Sequence, residues 1–185
     1  MNNKKIAVYL GAHSGISSFY EEVAEKAGSL IAKNGWDLVY GGTNTGLMKT
    51  LADAVKKGGA KIIGVVPTFF LYKEEENLDE RYAVSSMSER KDKMASLASL
   101  FLVLPGGMGT LEEAADIMSW VRLGQAKGKV LFYNENHFYD PLKEQLSLMV
   151  KEGFLEQEAM NHLVFVASMT DLDHFLATNS KDSAE

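Results

Sequence analysis

Short apolar runs alternate with longer amphipathic stretches along this chain of 185 residues. Consecutive apolar residues predict buried β-strands, whereas apolar residues repeated every three or four positions predict α-helices. The predicted strands cover residues 6–10, 38–40, 62–66, 100–104, 130–133 and 164–166, with a weaker strand at 82–85. The predicted helices cover residues 19–31, 47–57, 88–98, 114–124, 141–150 and 171–177.

Strands that are apolar throughout and alternate with helices are typical of a parallel sheet covered on both faces. The pattern therefore predicts an α/β fold: a doubly wound, Rossmann-like parallel sheet with helices on both faces, in a single domain. We expect this domain to cover residues 1–178 and the polar residues 179–185 to form a disordered tail. The polar stretch 68–81 is predicted to be a loop or short helix near a ligand site, which in such folds lies beyond the carboxyl ends of the strands.

Composition and charge narrow the classes of function. Hydrophobic residues make up 46% of the chain and charged residues 24%, as in an ordinary globular protein. The net charge of −6 argues against nucleic acid as a partner. With no bilayer-spanning apolar run and no signal-peptide pattern, we expect a cytoplasmic protein without a membrane partner. The absence of cysteine excludes disulfides and thiolate chemistry, and the histidines show no metal-ligand spacing.

The segment from Pro105 to Glu113, Pro-Gly-Gly-Met-Gly-Thr-Leu-Glu-Glu, gives the strongest functional signal. It follows a predicted strand and precedes a predicted helix. Glycines allow a ligand to approach the backbone closely, and a helix start presents free N–H groups and the positive end of the helix dipole. The segment therefore predicts a phosphate site. Thr110 and Glu113 also fit a capping box, in which the Glu113 side chain accepts a hydrogen bond from the N–H of the cap residue.

Two further segments carry candidate ligand-binding residues, one at the predicted start of a helix and one after a predicted strand. The first runs from Met87 to Lys91 and contains Arg90, whose planar guanidinium suits phosphate or carboxylate. The second, Tyr-Gly-Gly-Thr-Asn-Thr-Gly-Leu-Met at residues 40–48, places hydroxyl and amide groups between glycines, which suits a polar ligand.

These three segments, in this order and spacing, resemble the signature of the LOG (Lonely Guy) family over roughly residues 5 to 170. Members of that family are phosphoribohydrolases acting on cytokinin riboside 5′-monophosphates, and many have been labelled lysine decarboxylases. The resemblance implies that Arg90 and Glu113 form the catalytic pair. It also implies a homodimer, in which the site borrows residues across the interface.

The resemblance and the glycine segments together predict a set of substrate-binding residues. These are Gly11, Gly42, Asn44, Glu74, Lys91, Gly106, Gly107, Met108, Gly109, Thr110, Leu111, Glu112 and Ser119. The chain departs from the family pattern at Thr43 and Lys49, where relatives carry glycine. It departs again at Leu10-Gly11-Ala12, where relatives carry Cys-Gly-Ser, and His13 follows there without an assigned role.

The predicted reaction is hydrolysis of the bond between ribose C1′ and the base of a purine or cytokinin nucleoside 5′-monophosphate. Glu113 would stabilise the positive charge that develops on the sugar, and Gly107, Gly109 and Thr110 would bind the 5′-phosphate. Water is the second substrate, so we expect no cofactor and no metal. No lysine stands in a sequence pattern typical of the Schiff-base lysine that pyridoxal chemistry needs. Two alternatives stay open: a nucleotide carrier without catalysis, and a hydrolase of another phosphorylated nucleoside.

Overall fold

The computed structural model describes residues 4–70 and 78–180. Its strands are β1 (Lys4–Tyr9), β2 (Trp36–Tyr40), β3 (Ile62–Pro67), β4 (Glu80–Val84), β5 (Leu100–Val103), β6 (Val130–Tyr133) and β7 (Leu163–Val166). Its α-helices are α1 (Phe19–Lys33), α2 (Gly46–Lys57), α3 (Met87–Leu97), α4 (Met108–Arg122), α5 (Asp140–Lys151) and α6 (Met169–Ser180). Short 3-10 helices occupy Thr68–Phe70, Glu135–His137 and Gln157–His162.

The seven strands form one sheet in the order β4-β3-β2-β1-β5-β6-β7, and every pair in it is parallel. Side chains alternate between the two faces of the sheet. Ile6 and Val8 of β1 therefore join one core with α1, α2 and α6, while Ala7 and Tyr9 join the other with α3 and α4. This confirms the predicted doubly wound, single-domain α/β fold.

The chain runs from β1 outward to β4 on one side, then returns to β5 on the other side of β1. The strand order thus reverses between β1 and β5, which is where ligands bind in open α/β sheets. Here the loops after these two strands pack backbone to backbone. The N–H of Gly11 donates to the carbonyl of Pro105 at 3.2 Å, and the Cα of Gly106 lies 3.3 Å from where a Cβ on Gly11 would stand.

Several predicted boundaries are wrong. Helix α4 begins at Met108 rather than 114, so the last glycine of the loop lies inside the helix. Strand β4 begins at Glu80, within the stretch predicted as loop, of which residues 71–77 lie outside the described residues. Helix α6 extends to Ser180 rather than ending at 177, and within its last turn Asn179 donates its side-chain amide to the Phe175 carbonyl. The predicted tail therefore starts no earlier than 181, beyond the described residues.

Among the helices described, none has the length and apolar character needed to cross a bilayer.

Candidate active site

A cavity of about 650 Å³ lies over the carboxyl ends of the strands at the β1–β5 reversal. Its floor is built by the loops that follow β1 and β5. Side chains from the first two turns of α1, α2, α3 and α4 form its walls, and Phe138, from the loop after β6, closes one side. The cavity is thus assembled from segments distant in sequence that a parallel sheet brings to one edge.

The central feature of the cavity is a buried ion pair between α3 and α4. Arg90 Nη1 lies 2.8 Å from Glu113 Oε1, and the two side chains are only 10% and 11% exposed. The Nε of Arg90 donates to the carbonyl of Val65 at 3.2 Å, so the guanidinium is fixed from a second direction. The structure therefore brings together the two residues predicted as the catalytic pair.

A capping box fixes the start of α3, and with it the position of Arg90. Ser86 is the N-cap residue, and its Oγ accepts a hydrogen bond from the Glu89 N–H at 3.1 Å. Glu89 Oε2 in turn accepts one from the Ser85 N–H at 2.7 Å. The first bond satisfies an N–H group that the first turn of a helix leaves free, and the second ties Glu89 to the residue before the N-cap. The sequence Ser-x-x-Glu at 86–89 shows this motif.

The capping box predicted at Thr110 and Glu113 is wrong. Gly107 is the N-cap of α4, three residues earlier than that motif requires, and none of the described side chains caps this helix. Thr110 is buried instead under Gly106, where a Cβ would stand 2.2 Å from the threonine Oγ1. Glu113 is consequently free to face Arg90 rather than the helix start.

Burial raises the pKa of Glu113 above its ordinary value, and the charge of Arg90 opposes that rise. An enclosed carboxylate interacts more strongly with a nearby developing charge than an exposed one does. Glu113 is thus suited to stabilise positive charge on a bound ligand.

Lys91 connects the same two helices on the rim of the cavity. Its Nζ lies 2.5 Å from Asp116 Oδ2 and 2.9 Å from Glu112 Oε1. The hydrogen bonds that Lys91 donates to Asp116, the larger effect, and to Glu112 raise the pKa of Lys91, which keeps it charged. Asp116 was not predicted, although its position four residues after Glu112 places both carboxylates on one helical face.

The three glycines of the segment 105–113 differ in their structural requirements. Of the chain's 16 glycines, all but Gly107 and Gly109 either have a positive φ or have a neighbour within 4 Å of the position of an added Cβ. At Gly107 and Gly109 an added Cβ would meet only open space, and φ is not positive. Neither packing against the described residues nor backbone conformation therefore explains these two glycines, and both line the cavity.

Most of the predicted site residues line the cavity. Those present are Gly11, Arg90, Lys91, Gly106, Gly107, Met108, Gly109, Thr110, Glu112 and Glu113. The cavity does not include Gly42, Asn44, Leu111 or Ser119. The last two lie on exposed parts of α4, and Gly42 packs behind the cavity toward Val66. Glu74 lies outside the described residues.

The sequence reasoning missed the aromatic side of the cavity. Tyr20 and Phe138 both line it and meet edge to face, with ring centroids 6.3 Å apart. The loop that carries Phe138 has two consecutive non-glycine residues with positive φ, Asn136 and His137. It is tied down by the Tyr139 hydroxyl, which donates to the Leu104 carbonyl at 2.8 Å. The available signal was its position after β6, at the same edge as the glycine loops.

Comparisons with known proteins agree with this geometry. The family described as "Possible lysine decarboxylase" matches residues 48–174. A protein of Oryza sativa subsp. japonica named cytokinin riboside 5′-monophosphate phosphoribohydrolase LOG is 38% identical over 91% of this chain and 71% of its own length. A cytokinin riboside 5′-monophosphate phosphoribohydrolase of Rhodococcoides fascians is 35% identical over 87% of this chain and 83% of its own.

Among solved structures, the molybdenum cofactor binding protein from Rippkaea orientalis superimposes with a TM-score of 0.71. That match covers 97% of this chain and 98% of the other, at 21% identity, and it shows the shared Rossmann-like fold alone. The sequence matches go further, because they cover about nine tenths of this chain and over two thirds of each relative at identities above one third. On these matches, the chain belongs to the LOG family.

Proposed function

We propose that this protein is a phosphoribohydrolase that cleaves a purine or cytokinin nucleoside 5′-monophosphate to free base and ribose 5-phosphate. One observation supports the proposal above all: two glycines without a structural requirement open onto the same cavity as a buried carboxylate–guanidinium pair. The first feature suits a phosphate, and the second suits a sugar that becomes positively charged.

The phosphate end is the first turn of α4. The N–H groups of Met108, Gly109 and Thr110 lie in that turn, where a helix has no carbonyl of its own to accept them. The helix dipole adds positive potential there. With no Cβ at Gly107 or Gly109, phosphate oxygens reach these N–H groups without obstruction.

Glu113 acts on the ribose. Cleavage breaks the bond from C1′ to the base nitrogen, and the bonding electrons leave with the base, so positive charge develops on C1′ and the ring oxygen. The Glu113 carboxylate stabilises that charge and positions water, whose oxygen bonds to C1′. One water proton completes the new hydroxyl group and the other neutralises the departing base. Arg90 holds the carboxylate in place and limits the rise of its pKa.

The apolar and aromatic walls suit the base. Tyr20 and Phe138 line the cavity, and planar bases stack well on such side chains. The names of the relatives agree with this assignment, since those from Oryza and Rhodococcoides are both called cytokinin riboside 5′-monophosphate phosphoribohydrolases.

A decarboxylase that uses pyridoxal phosphate is disfavoured by the state of Lys91. Schiff-base chemistry needs a lysine that becomes neutral. Lys91 is the one lysine among the described residues that line the cavity, and its two carboxylate partners raise its pKa. They therefore stabilise the charged form.

The proposal is tested by incubating AMP and N6-isopentenyl-AMP with the wild-type protein and with Gly109→Ala, followed by chromatography for free base and ribose 5-phosphate. We expect wild type to release base from at least one nucleotide. We expect Gly109→Ala to raise KM about 10-fold or more, as when ligand N–H contacts are blocked. Its stability should be unchanged or higher by about 0.4–1 kcal/mol, since alanine fits that position freely.

Nucleotide binding by calorimetry without base release would contradict the hydrolase and favour the carrier alternative. Release from a different phosphorylated nucleoside alone would favour the second alternative. If Gly109→Ala kept the wild-type KM, the phosphate would lie elsewhere in the cavity.

We further propose that the protein acts as a cytoplasmic homodimer. Large apolar side chains surround the mouth of the cavity with unusual exposure: Ile16 is fully exposed and Met108 is 82% exposed. Such a patch favours a protein contact. Light scattering at micromolar concentration should give twice the mass of one chain, and a monomer would contradict this part of the proposal.

A further inference from the structure

The second glycine loop, residues 41–46 between β2 and α2, resembles a phosphate-binding turn in sequence but does not line the cavity. Only Leu47 and Met48, which follow it in α2, reach the cavity wall. Its glycines therefore need another explanation than contact with a ligand.

Gly41 is required by the side chain of Arg90. A Cβ at Gly41 would stand 2.1 Å from Arg90 Nη2 and 3.3 Å from its Cζ. The φ of Gly41 is not positive, so backbone conformation does not demand glycine there. The guanidinium thus occupies the space that a side chain at position 41 would need.

The guanidinium is consequently held along three of its edges. Nε donates to the Val65 carbonyl, Nη1 donates to Glu113, and Nη2 lies against the bare Cα of Gly41. A planar fork held this way has one orientation available.

The loop itself is fixed to the structure around it. Gly42 has a φ of 75° and packs where a Cβ would stand 2.4 Å from a Val66 methyl group. Gly46 has a φ of 55° and abuts the Ala12 carbonyl oxygen, 2.2 Å from where a Cβ would stand. The loop therefore cannot withdraw from an added methyl group at Gly41, so the flexible end of Arg90 must move instead.

We infer that the second glycine loop is a socket that orients the Arg90 guanidinium toward Glu113, and that Gly41 is a positioning residue rather than a phosphate ligand. The kinetic consequence rests on the proposed function, whereas the steric coupling between Gly41 and Arg90 does not.

The experiment is a double-mutant cycle of Gly41→Ala and Arg90→Ala, read by kcat, by ribose 5-phosphate affinity from calorimetry, and by the midpoint of urea unfolding. Gly58→Ala is the matched control. It adds a methyl group at an ordinary φ of −78° and makes a steric clash with Ala32, far from the cavity. It should therefore affect stability and leave kcat unchanged.

We expect Gly41→Ala to lower kcat about 10²-fold, as for a misplaced catalytic group, with ribose 5-phosphate affinity within about twofold of wild type. In the Arg90→Ala background the same change should alter kcat less than about twofold. Removing the guanidinium also makes room for the methyl group, so the double variant should unfold at the same urea concentration as Arg90→Ala.

Two results would overturn the inference. The first is a loss of ribose 5-phosphate affinity in Gly41→Ala with kcat retained, which would make the loop a ligand cradle. The second is an equal loss of stability from Gly41→Ala with and without the guanidinium, which can be measured even if the single variant folds poorly. Absence of base release by wild type would instead count against the proposed function and would leave the stability cycle interpretable.

Discussion

Glu113→Gln should lower turnover of the nucleoside monophosphate by about 10²-fold or more, the scale of a single catalytic acid or base group. Glutamine matches the shape of glutamate and keeps an oxygen for Arg90, so the cavity should keep its form. The substitution removes the negative charge of a side chain that is only 11% exposed and lies beside the expected position of ribose C1′. Initial rates of base release, measured by chromatography, give the comparison.

Glu89→Gln is the matched control for this substitution. Glu89 precedes Arg90, lies outside the cavity lining, and serves a capping box in which glutamine is equally effective. It should retain wild-type turnover. Ribose 5-phosphate affinity should also persist in Glu113→Gln, because the proposed phosphate site is the first turn of α4. A Glu113→Gln variant with wild-type turnover would contradict the assigned role of the carboxylate.

The pH profile provides a second readout of the same group. The proposed mechanism needs ionised Glu113, and protonation removes its charge, so turnover should fall as the pH decreases through the pKa of this carboxyl. Burial raises that pKa above its ordinary value, so the acid limb should lie above the range of an exposed glutamate, about 4.3. The limb should be missing from the residual activity of Glu113→Gln. A limb in the ordinary carboxylate range would contradict the effect of burial.

The fold was predictable because its signal is local in the chain. Apolar runs such as 100–104 are buried on both faces in a parallel sheet, and the structure buries Leu100 through Leu104. Parallel strands then place every loop that follows a strand at one edge, which put Gly11 and Gly106 together. Arg90 and Glu113 are 23 positions apart, and their pairing came from the family resemblance rather than from spacing.

What the sequence could not show depends on contacts through space. The Gly-Gly turns at residues 41–42 and 106–107 have the same local sequence. In the structure, however, Gly107 faces open space while Gly41 faces the Arg90 guanidinium. Two capping-box patterns likewise look alike, at 86–89 and 110–113. Only the first caps a helix, because α4 starts early at Met108 and leaves Thr110 inside its first turn. Phe138 reaches the cavity through a loop in which Asn136 and His137 have positive φ. Asparagine there is typical of a turn, but it does not show where the turn places the next aromatic side chain.

Arg90→Lys should reduce turnover by a similar factor, about 10²-fold, although it preserves the charge. The guanidinium donates in two directions at once, to the Val65 carbonyl from Nε and to Glu113 from Nη1. A lysine ammonium is a single point of charge and cannot hold both partners in that geometry. The expected loss therefore reports on the orientation of the carboxylate rather than on net charge.

Arg122→Lys is the control, since Arg122 pairs with Glu156 on the surface, away from the cavity, and should tolerate the change. Arg90 also lowers the pKa of Glu113, so a displaced ammonium should move the acid limb of the residual activity to still higher pH. If Arg90→Lys retained wild-type turnover and an unmoved limb, charge alone would suffice. The fixed orientation of the guanidinium between the Val65 carbonyl and Glu113 would then have no catalytic role. A loss of turnover with an upward shift would show that Arg90 acts by fixing and ionising the carboxylate that the reaction uses.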